Sequence, residues 1–264
     1  MYPGVFTDQL SRQIFLAKPP LRIISLVPSH TEMLFDLGLA DQIVGITRFC
    51  IHPSDRVRSK TRVGGTKQLD LATIIALKPD LLIANKEENS KADIEALVQA
   101  VPVWISDINT LTDAYNMILS IGEITDRKPA AEKMVTGIRE GFNSLNPEPA
   151  LRDIRVAYFI WRKPYMLAGK STFIDHILEL AGFTNATDLD RYPEVTPEAI
   201  RQLNPDVIFL SSEPYPFSER HLMEFQDLCP QVKVVFVDGE MFSWYGSRLL
   251  HTSSYLTKII SEKF

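Results

Sequence analysis

The feature that most restricts the fold of this chain is a repeat inside it. Residues 69–84 read LDLATIIALKPDLLIA and residues 195–210 read VTPEAIRQLNPDVIFL. Each is an amphipathic helix, then Leu-x-Pro-Asp, then four apolar residues. Pro79 and Pro205 end their helices, because a proline disfavours the helical conformation at the residue before it. The unbroken apolar runs 81–84 and 207–210 suit strands covered on both faces, as in parallel sheets. Two more pairs follow in the same order. SHTEMLFDLGL (29–39) parallels STFIDHILELAGF (171–183), each with a Ser/Thr start, apolar residues at helical spacing and a stop at Gly38 or Gly182. Ser29 or Thr31 is the expected cap of the first helix, and Ser171 or Thr172 that of the second. VWISD (103–107) parallels VVFVD (234–238). Three matches in register imply two similar α/β lobes.

Between them, residues 126–146 (DRKPAAEKMVTGIREGFNSLN) read as one long helix, with Asp126 as its cap and Pro129 tolerated in the first turn. Ala131, Met134, Val135, Ile138, Phe142 and Leu145 form one apolar face. Gly137 and Gly141 weaken it by about 1 kcal/mol each relative to alanine and admit a close backbone neighbour. Further strands are expected at 23–27, 43–47, 103–105, 154–160 and 234–237. Helices are expected from Thr31 and over 91–100, 111–121, 172–181, 197–203, 219–228 and about 246–261. The fold class is α/β: two Rossmann-like lobes with mostly parallel sheets, residues 1–125 and 148–264, joined by a backbone helix at 126–147. Ligands of such sheets sit outside the carboxyl ends of the strands, which predicts a binding cleft between the lobes.

Composition removes several function classes. The 264 residues carry 28 Lys+Arg against 33 Asp+Glu, a net charge of −5, which argues against a phosphate-binding surface and hence a nucleic-acid partner. No apolar run nears the roughly 18 residues of a membrane span, so the chain is not expected to be integral to a membrane. In MYPGVFTDQLSRQIFLAKPP, Asp8, Gln9, Ser11, Arg12 and Gln13 interrupt the roughly 7–15 apolar residues of an export signal, and the chain as written is expected in the cytoplasm. Cys50 and Cys229 read as two free thiols.

Catalytic signatures fail. There is no GxSxG or HExxH, and the five histidines have no metal-binding spacing. AGKST (168–172) ends like a phosphate loop, but Pro164 stands where that loop requires glycine. Ser29, His30 and Glu32 are too close in sequence to form a triad. Cys50 and His52 are the one nucleophile–base pair on offer. No catalytic residue, bound metal or resident cofactor is therefore expected. Aromatic and charged residues instead gather after predicted strands: Arg48, Phe49 and His52; Lys86, Glu87 and Glu88; Trp161, Arg162, Lys163 and Tyr165; Glu213 and Tyr215; Trp244, Tyr245, Ser247 and Arg248. Aromatic platforms with a few fixed polar groups describe a small-molecule site.

The stretches RIISLVPSHTEMLFDLGLADQIVGIT (22–47), VGGTKQLDLATIIALKPDLLIA (63–84), the loop after Ile160 into LAGKSTFIDHILELAGF, and YPEVTPEAIRQLNPDVIFL (192–210) resemble the class III periplasmic substrate-binding proteins, nearest to their cobalamin-binding members. The resemblance spans about residues 20–260. It implies two lobes on a rigid backbone helix with little relative motion, no enzymatic activity, and an ABC-type importer as the setting. It also implies a location in the periplasm or at the cell surface, and a permease partner for a monomeric binder. The ligand would be cobalamin or a related corrinoid, whose metal is its own. Residue by residue, Tyr192 stands where an aromatic precedes Pro-x-Val. Glu198 matches a glutamate that docks on a permease arginine. The first-lobe counterpart of that glutamate falls on Ala72, with Asp70 as the nearest substitute. A first-lobe tryptophan of the family falls near Thr66 or Lys67, and His52 stands where an aromatic precedes a proline. The ligand-binding set is then Phe49, His52, Lys67, Lys86, Glu87, Trp161, Arg162, Tyr165, Tyr192, Trp244, Tyr245 and Arg248. Lys67, Lys86, Arg162, Lys163 and Arg248, where they face the expected cleft, make it more basic than a corrinoid needs, which keeps a ferric siderophore or haem open. Pairing with Glu87, Glu88 and Glu213 would neutralise it. The same residues also admit a cytosolic chelate carrier that meets no permease, or an enzyme using Cys50 and His52.

Overall fold

In the computed structural model, which describes residues 2–264, the chain divides into two units, each with its own sheet. The first takes in the chain up to Ile108, then Thr112–Ile138 and the short segment Tyr245–Arg248. It opens with a hairpin, β1 (Gly4–Thr7) and β2 (Gln13–Leu16). Phe6, Ile14 and Leu16 of this hairpin are buried, while Val5 and Phe15 face outward, the period-2 pattern of a half-covered strand. Four residues per strand are too few for that pattern to stand out in the sequence. Tyr2 donates to the Ile124 carbonyl, Arg12 to that of Val103 at 2.8 Å, and the Gln9 amide to that of Asp113 at 2.8 Å. The polar residues that spoke against an export signal thus serve in the folded unit.

There follow β3 (Ile23–Ser25), α1 (Pro28–Asp36), β4 (Ile43–Ile46), β5 (Thr61–Arg62), the small pair β6 (Gly64–Gly65) and β7 (Gln68–Leu69), α2 (Leu71–Ala76), β8 (Leu81–Asn85), α3 (Lys91–Val98), β9 (Val103–Ser106) and α4 (Leu111–Ile124). A five-stranded parallel sheet runs in the order β5-β4-β3-β8-β9. Ile24, Leu26, Ile74, Leu82, Ala84, Leu97 and Ile105 share its core. Helix α1 begins earlier than expected. Pro28 fits its first turn, Val27 stands at the cap with no side-chain bond, and neither Ser29 nor Thr31 caps it. The Thr31 hydroxyl lies inside instead, 2.9 Å from the Val27 carbonyl and 2.8 Å from the Ser25 hydroxyl.

Helix α5 (Lys128–Asn143) carries the chain from one unit to the other, the division falling after Ile138 rather than at the helix ends. Asp126 is not its cap: this residue is left-handed at φ 57°, and the Arg127 carbonyl takes the first bond, from Ala131 N at 3.0 Å. Ala131, Met134, Val135, Ile138 and Phe142 are buried as expected, while Leu145 lies beyond the helix and is half-buried. At Gly141 a Cβ would stand 2.6 Å from the Ser253 hydroxyl, so the close neighbour there is a side chain and not a backbone.

The second unit holds Asn109–Leu111, Arg139–Trp244 and Leu249–Phe264. Its elements are β10 (Arg155–Trp161), β11 (Tyr165–Leu167), α6 (Phe173–Leu180), β12 (Thr184–Asn185), β13 (Glu194–Val195), α7 (Pro197–Leu203), β14 (Val207–Ser211), α8 (Leu222–Leu228), β15 (Lys233–Val237), α9 (Glu240–Ser243) and α10 (Leu249–Lys263). The sheet order is β13-β11-β10-β14-β15, with β12 also on β10. β12, β14 and β15 continue the parallel pattern, while β11 and β13 pair antiparallel. Thr172, not Ser171, caps α6, accepting from Asp175 N at 3.1 Å. The helix expected from about 246 starts at Leu249, and that expected from 219 opens with a tight turn at Glu219–His221.

The Leu-x-Pro-Asp repeat proves to be a clasp. The Asp80 carboxylate accepts from Leu21 N and Arg22 N at 2.9 Å each, and Asp206 accepts from Arg155 N at 2.8 Å. In return Asp80 N donates to Arg22 O and Asp206 N to Arg155 O, both at 2.9 Å. The Arg22 guanidinium reaches the Leu77 carbonyl at 2.6 Å, and that of Arg155 the Leu203 carbonyl at 3.1 Å. Each arginine so satisfies a helix-end carbonyl that has no partner within the helix. Lys78 and Asn204, just before the prolines, are left-handed at φ 47° and 44°, consistent with exclusion from the helical region.

Candidate functional site

Each sheet presents the carboxyl ends of its parallel strands, where ligands of such folds bind. In the first unit two buried asparagines shape that end. Asn85 closes β8 by accepting from Glu87 N at 2.8 Å and Glu88 N at 3.0 Å, and its amide donates to the Ser106 hydroxyl at 3.0 Å. Asn89 donates to the carbonyls of Leu26 and Thr66 at 3.0 and 3.1 Å. Upon this frame the Lys67 ammonium donates to the Glu87 carbonyl, and Lys86 stands 2.6 Å from Asp107. Burial pushes the Glu88 carboxyl up, against the pull of Lys67. After β4, Phe49 is half exposed, with the Arg48 guanidinium 5.0 Å from its ring centre, and His52 is half-buried.

The segment Tyr245–Arg248 packs on α1 of the same unit. Arg248 grips Glu32 with two bonds, at 2.6 and 3.0 Å, and Ser247 donates to Asp36. Burial raises the Glu32 carboxyl, while Arg248 and His52 draw it down. Tyr245 is buried, its ring 5.7 Å from that of His30. His30 is wholly covered, which pushes its imidazole down to about 3; Nε2 lies 3.3 Å from the Ser106 hydroxyl, and Nδ1 has no partner among the described residues. Asp70 caps α2, accepting from Thr73 N at 3.0 Å and the Thr73 hydroxyl at 2.6 Å. Cys50 is buried with its sulfur 3.0 and 3.2 Å from the hydroxyls of Thr31 and Thr47, and burial pushes the thiol up. That environment favours an inert thiol over a nucleophile paired with His52.

In the second unit the structure gathers Trp161, Arg162 and Tyr165. Trp161 ends β10 with 38% of its surface open and meets Tyr215 edge to face at 5.6 Å. Arg162 forks onto Glu224 at 2.6 to 3.0 Å, and the Tyr165 hydroxyl donates to the same carboxylate. Burial raises Glu224, but Arg162 and Tyr165 outweigh it and hold the carboxyl below its usual range. Burial and that acidic partner push Tyr165 up to about 12. Behind Tyr215 stands buried His221, 3.1 Å from its hydroxyl and accepting from Ser218 N at 3.0 Å.

The other residues of the expected set fall elsewhere. Trp244 is buried, donating to Glu213 at 2.8 Å, so it is an anchored ring and not an open wall. Trp244 and Tyr245 adjoin in sequence and belong to different units. Tyr192 lies farther along the sheet, its neighbours Arg191 and Pro193 bonded to Gly169 and Leu167, with the Arg191 guanidinium 5.7 Å from its ring centre. Glu198 is exposed in the first turn of α7, 3.6 Å from Arg201. Its own backbone N–H and the Thr196 hydroxyl keep it below the usual range.

The expected basicity is largely cancelled, though by other acids than those expected. Asp107, Glu224 and Glu32 take Lys86, Arg162 and Arg248, whereas Glu87 offers its carbonyl and Glu213 holds an indole. Sequence reading missed Glu224 because its partner is 62 residues away. One signal was present: an acid next to Phe225, an apolar residue on the inner face of a helix.

A family model described as "Periplasmic binding protein" matches residues 23–227. The uncharacterized ABC transporter substrate-binding lipoprotein YvrC of Bacillus subtilis is 28% identical over 219 residues, 79% of this chain and 69% of its own length. A vitamin B12-binding protein of Vibrio parahaemolyticus is 28% identical over 198 residues, 74% of this chain and 72% of its own. Among solved structures, a periplasmic heme binding protein from Pseudomonas aeruginosa shares the fold with a TM-score of 0.80 at 20% identity, over 92% of this chain and 94% of its own.

Proposed function

Because the chain belongs to the periplasmic binding protein family, we propose that it is the substrate-binding component of an ABC-type importer and that its ligand is cobalamin or a related corrinoid. The observation that carries the ligand is the exposed indole of Trp161, backed by Tyr215 and next to a guanidinium, that of Arg162, which carries its own carboxylate. A corrinoid offers a broad apolar face with amide-bearing edges and little net charge. Such a face calls for open aromatic surface and does not need unpaired guanidinium groups. In the first unit, taken by itself, Phe49 is likewise an open ring. Relatives named vitamin B12-binding proteins support the same ligand.

The chain binds and releases its guest without chemistry in this reading, and the metal stays with the ligand. The raised, buried Cys50 thiol fits that role. Glu198, ionised and exposed, is the residue proposed to meet a cationic permease surface. Asp70 is the weaker candidate, because Thr73 occupies both of its oxygens.

Absorbance and calorimetric titrations with cobalamin, cobinamide, haem and ferric siderophores test the ligand. Cobalamin should bind, and Trp161→Ala should weaken it by about tenfold or more, as truncated aromatic anchors generally do. Tight binding of haem or a siderophore with none of a corrinoid overturns the ligand. Unchanged affinity in Trp161→Ala overturns the site.

A further inference from the structure

Helix α8 is pinned by Phe225, which is wholly buried with its ring 4.8 Å from Phe159 and 5.6 Å from Tyr165. The residue before it is thereby delivered to the end of β10 and the start of β11. That residue is Glu224. Its carboxylate receives Arg162 Nε at 2.7 Å and Nη2 at 2.6 Å, together with the Tyr165 hydroxyl. Forked guanidinium–carboxylate pairs are among the strongest side-chain bonds, and this one has each partner only about a quarter exposed, at 23% and 24%. Tyr215 and His221 are the other polar groups facing the pair.

The arrangement cancels the cation next to the open face of Trp161 and turns its donors inward. A guanidinium without such a partner is the side chain best suited to capture carboxylates, phosphates and other oxyanions. From this geometry we infer that Glu224 sets the charge preference of the binding surface: it holds Arg162 in reserve, so that the site accepts a nearly neutral chelate and discriminates against an anionic one. The inference rests on placing the ligand at the Trp161 end of β10. Glu224 is a positioning residue in this account and touches no ligand itself.

The full chain, Glu224→Gln and Glu224→Gln/Arg162→Gln are each titrated with cobalamin and with a ferric tris-catecholate, at low and high salt, with thermal melting as a control for folding. Glutamine keeps the shape and one acceptor oxygen while removing the charge. The single variant should bind the catecholate about tenfold more tightly at low salt, as expected for one uncovered charge near the surface. Salt should erase most of that gain, and the double variant all of it. Cobalamin affinity of the single variant should stay within about threefold. Unchanged catecholate affinity in Glu224→Gln, an equal loss for both ligands, or a gain that survives in the double variant overturns the inference. The gain and its reversal are read on the anionic probe, with cobalamin as the reference ligand. They therefore stand or fall separately from the Trp161→Ala result, which decides the corrinoid site.

Discussion

Arg22 with Asp80 in the first unit and Arg155 with Asp206 in the second make the same backbone bonds, while the strand ends beyond them carry different chemistry. After β8 the first unit builds a loop on buried Asn85 and Asn89 and leaves Lys86 to Asp107. After β10 the second unit turns back into an antiparallel strand and builds a Trp161–Tyr215 wall on Arg162, Glu224 and Tyr165. The amino ends, where helix meets strand, are constrained by backbone bonding that any sheet of this kind must complete. The carboxyl ends face no such demand and are where the two halves have diverged.

The largest test of that equivalence is in the core. Ile74 and Ile200 occupy the same place in the repeat and are both fully buried. Ile74→Ala and Ile200→Ala should each cost about 2–5 kcal/mol in chemical denaturation. A cost under about 1 kcal/mol at one of them would break the comparison.

A second test sharpens the difference. Buried His30 belongs to the first unit, while Thr172 stands at the matching place of the repeat in the second. An unfolded histidine titrates near 6.5, and His30 in the fold only at about 3. Above pH 6.5 both states are neutral and nothing is lost. Below it the unfolded chain binds a proton that the folded one refuses, so stability falls by about 1.4 kcal/mol per pH unit until about pH 3. His30→Asn should flatten the pH dependence of stability across that window, measured by urea denaturation. The same slope in the variant would remove His30 as the cause.

The smallest expected effect is in the clasps. Asp80→Ala removes two hydrogen bonds and Asp206→Ala one, all near solvent. Losses of about 1–2 and about 1 kcal/mol follow, read as shifts in denaturation midpoint. A larger loss at Asp206 would show that the two clasps are not equivalent.

Much of this architecture was legible in the sequence, because buried parallel strands leave unbroken apolar runs and a proline must end a helix wherever it stands. The apolar runs 81–84 and 207–210 are buried throughout. The hairpin at Gly4–Leu16 was not legible, since two four-residue strands offer too short a period. Nor were the caps of α1 and α5: Val27 and Arg127 serve by backbone geometry, which leaves no polar side chain to notice. For the site, the expected cations and aromatics were found by type, but their fates were not. Trp161 is open and Trp244 covered, though the sequence puts both after predicted strands.

Periodicity, prolines and glycines act over a few residues, so the linear order alone determined the repeat, the α/β class and the long helix between the halves. Which acid neutralises Arg162, Arg248 or Lys86 depends on partners 21 to 216 residues away. Coulomb attraction and hydrogen bonding are set by distance in space, and only the folded chain brings those groups within 3 Å.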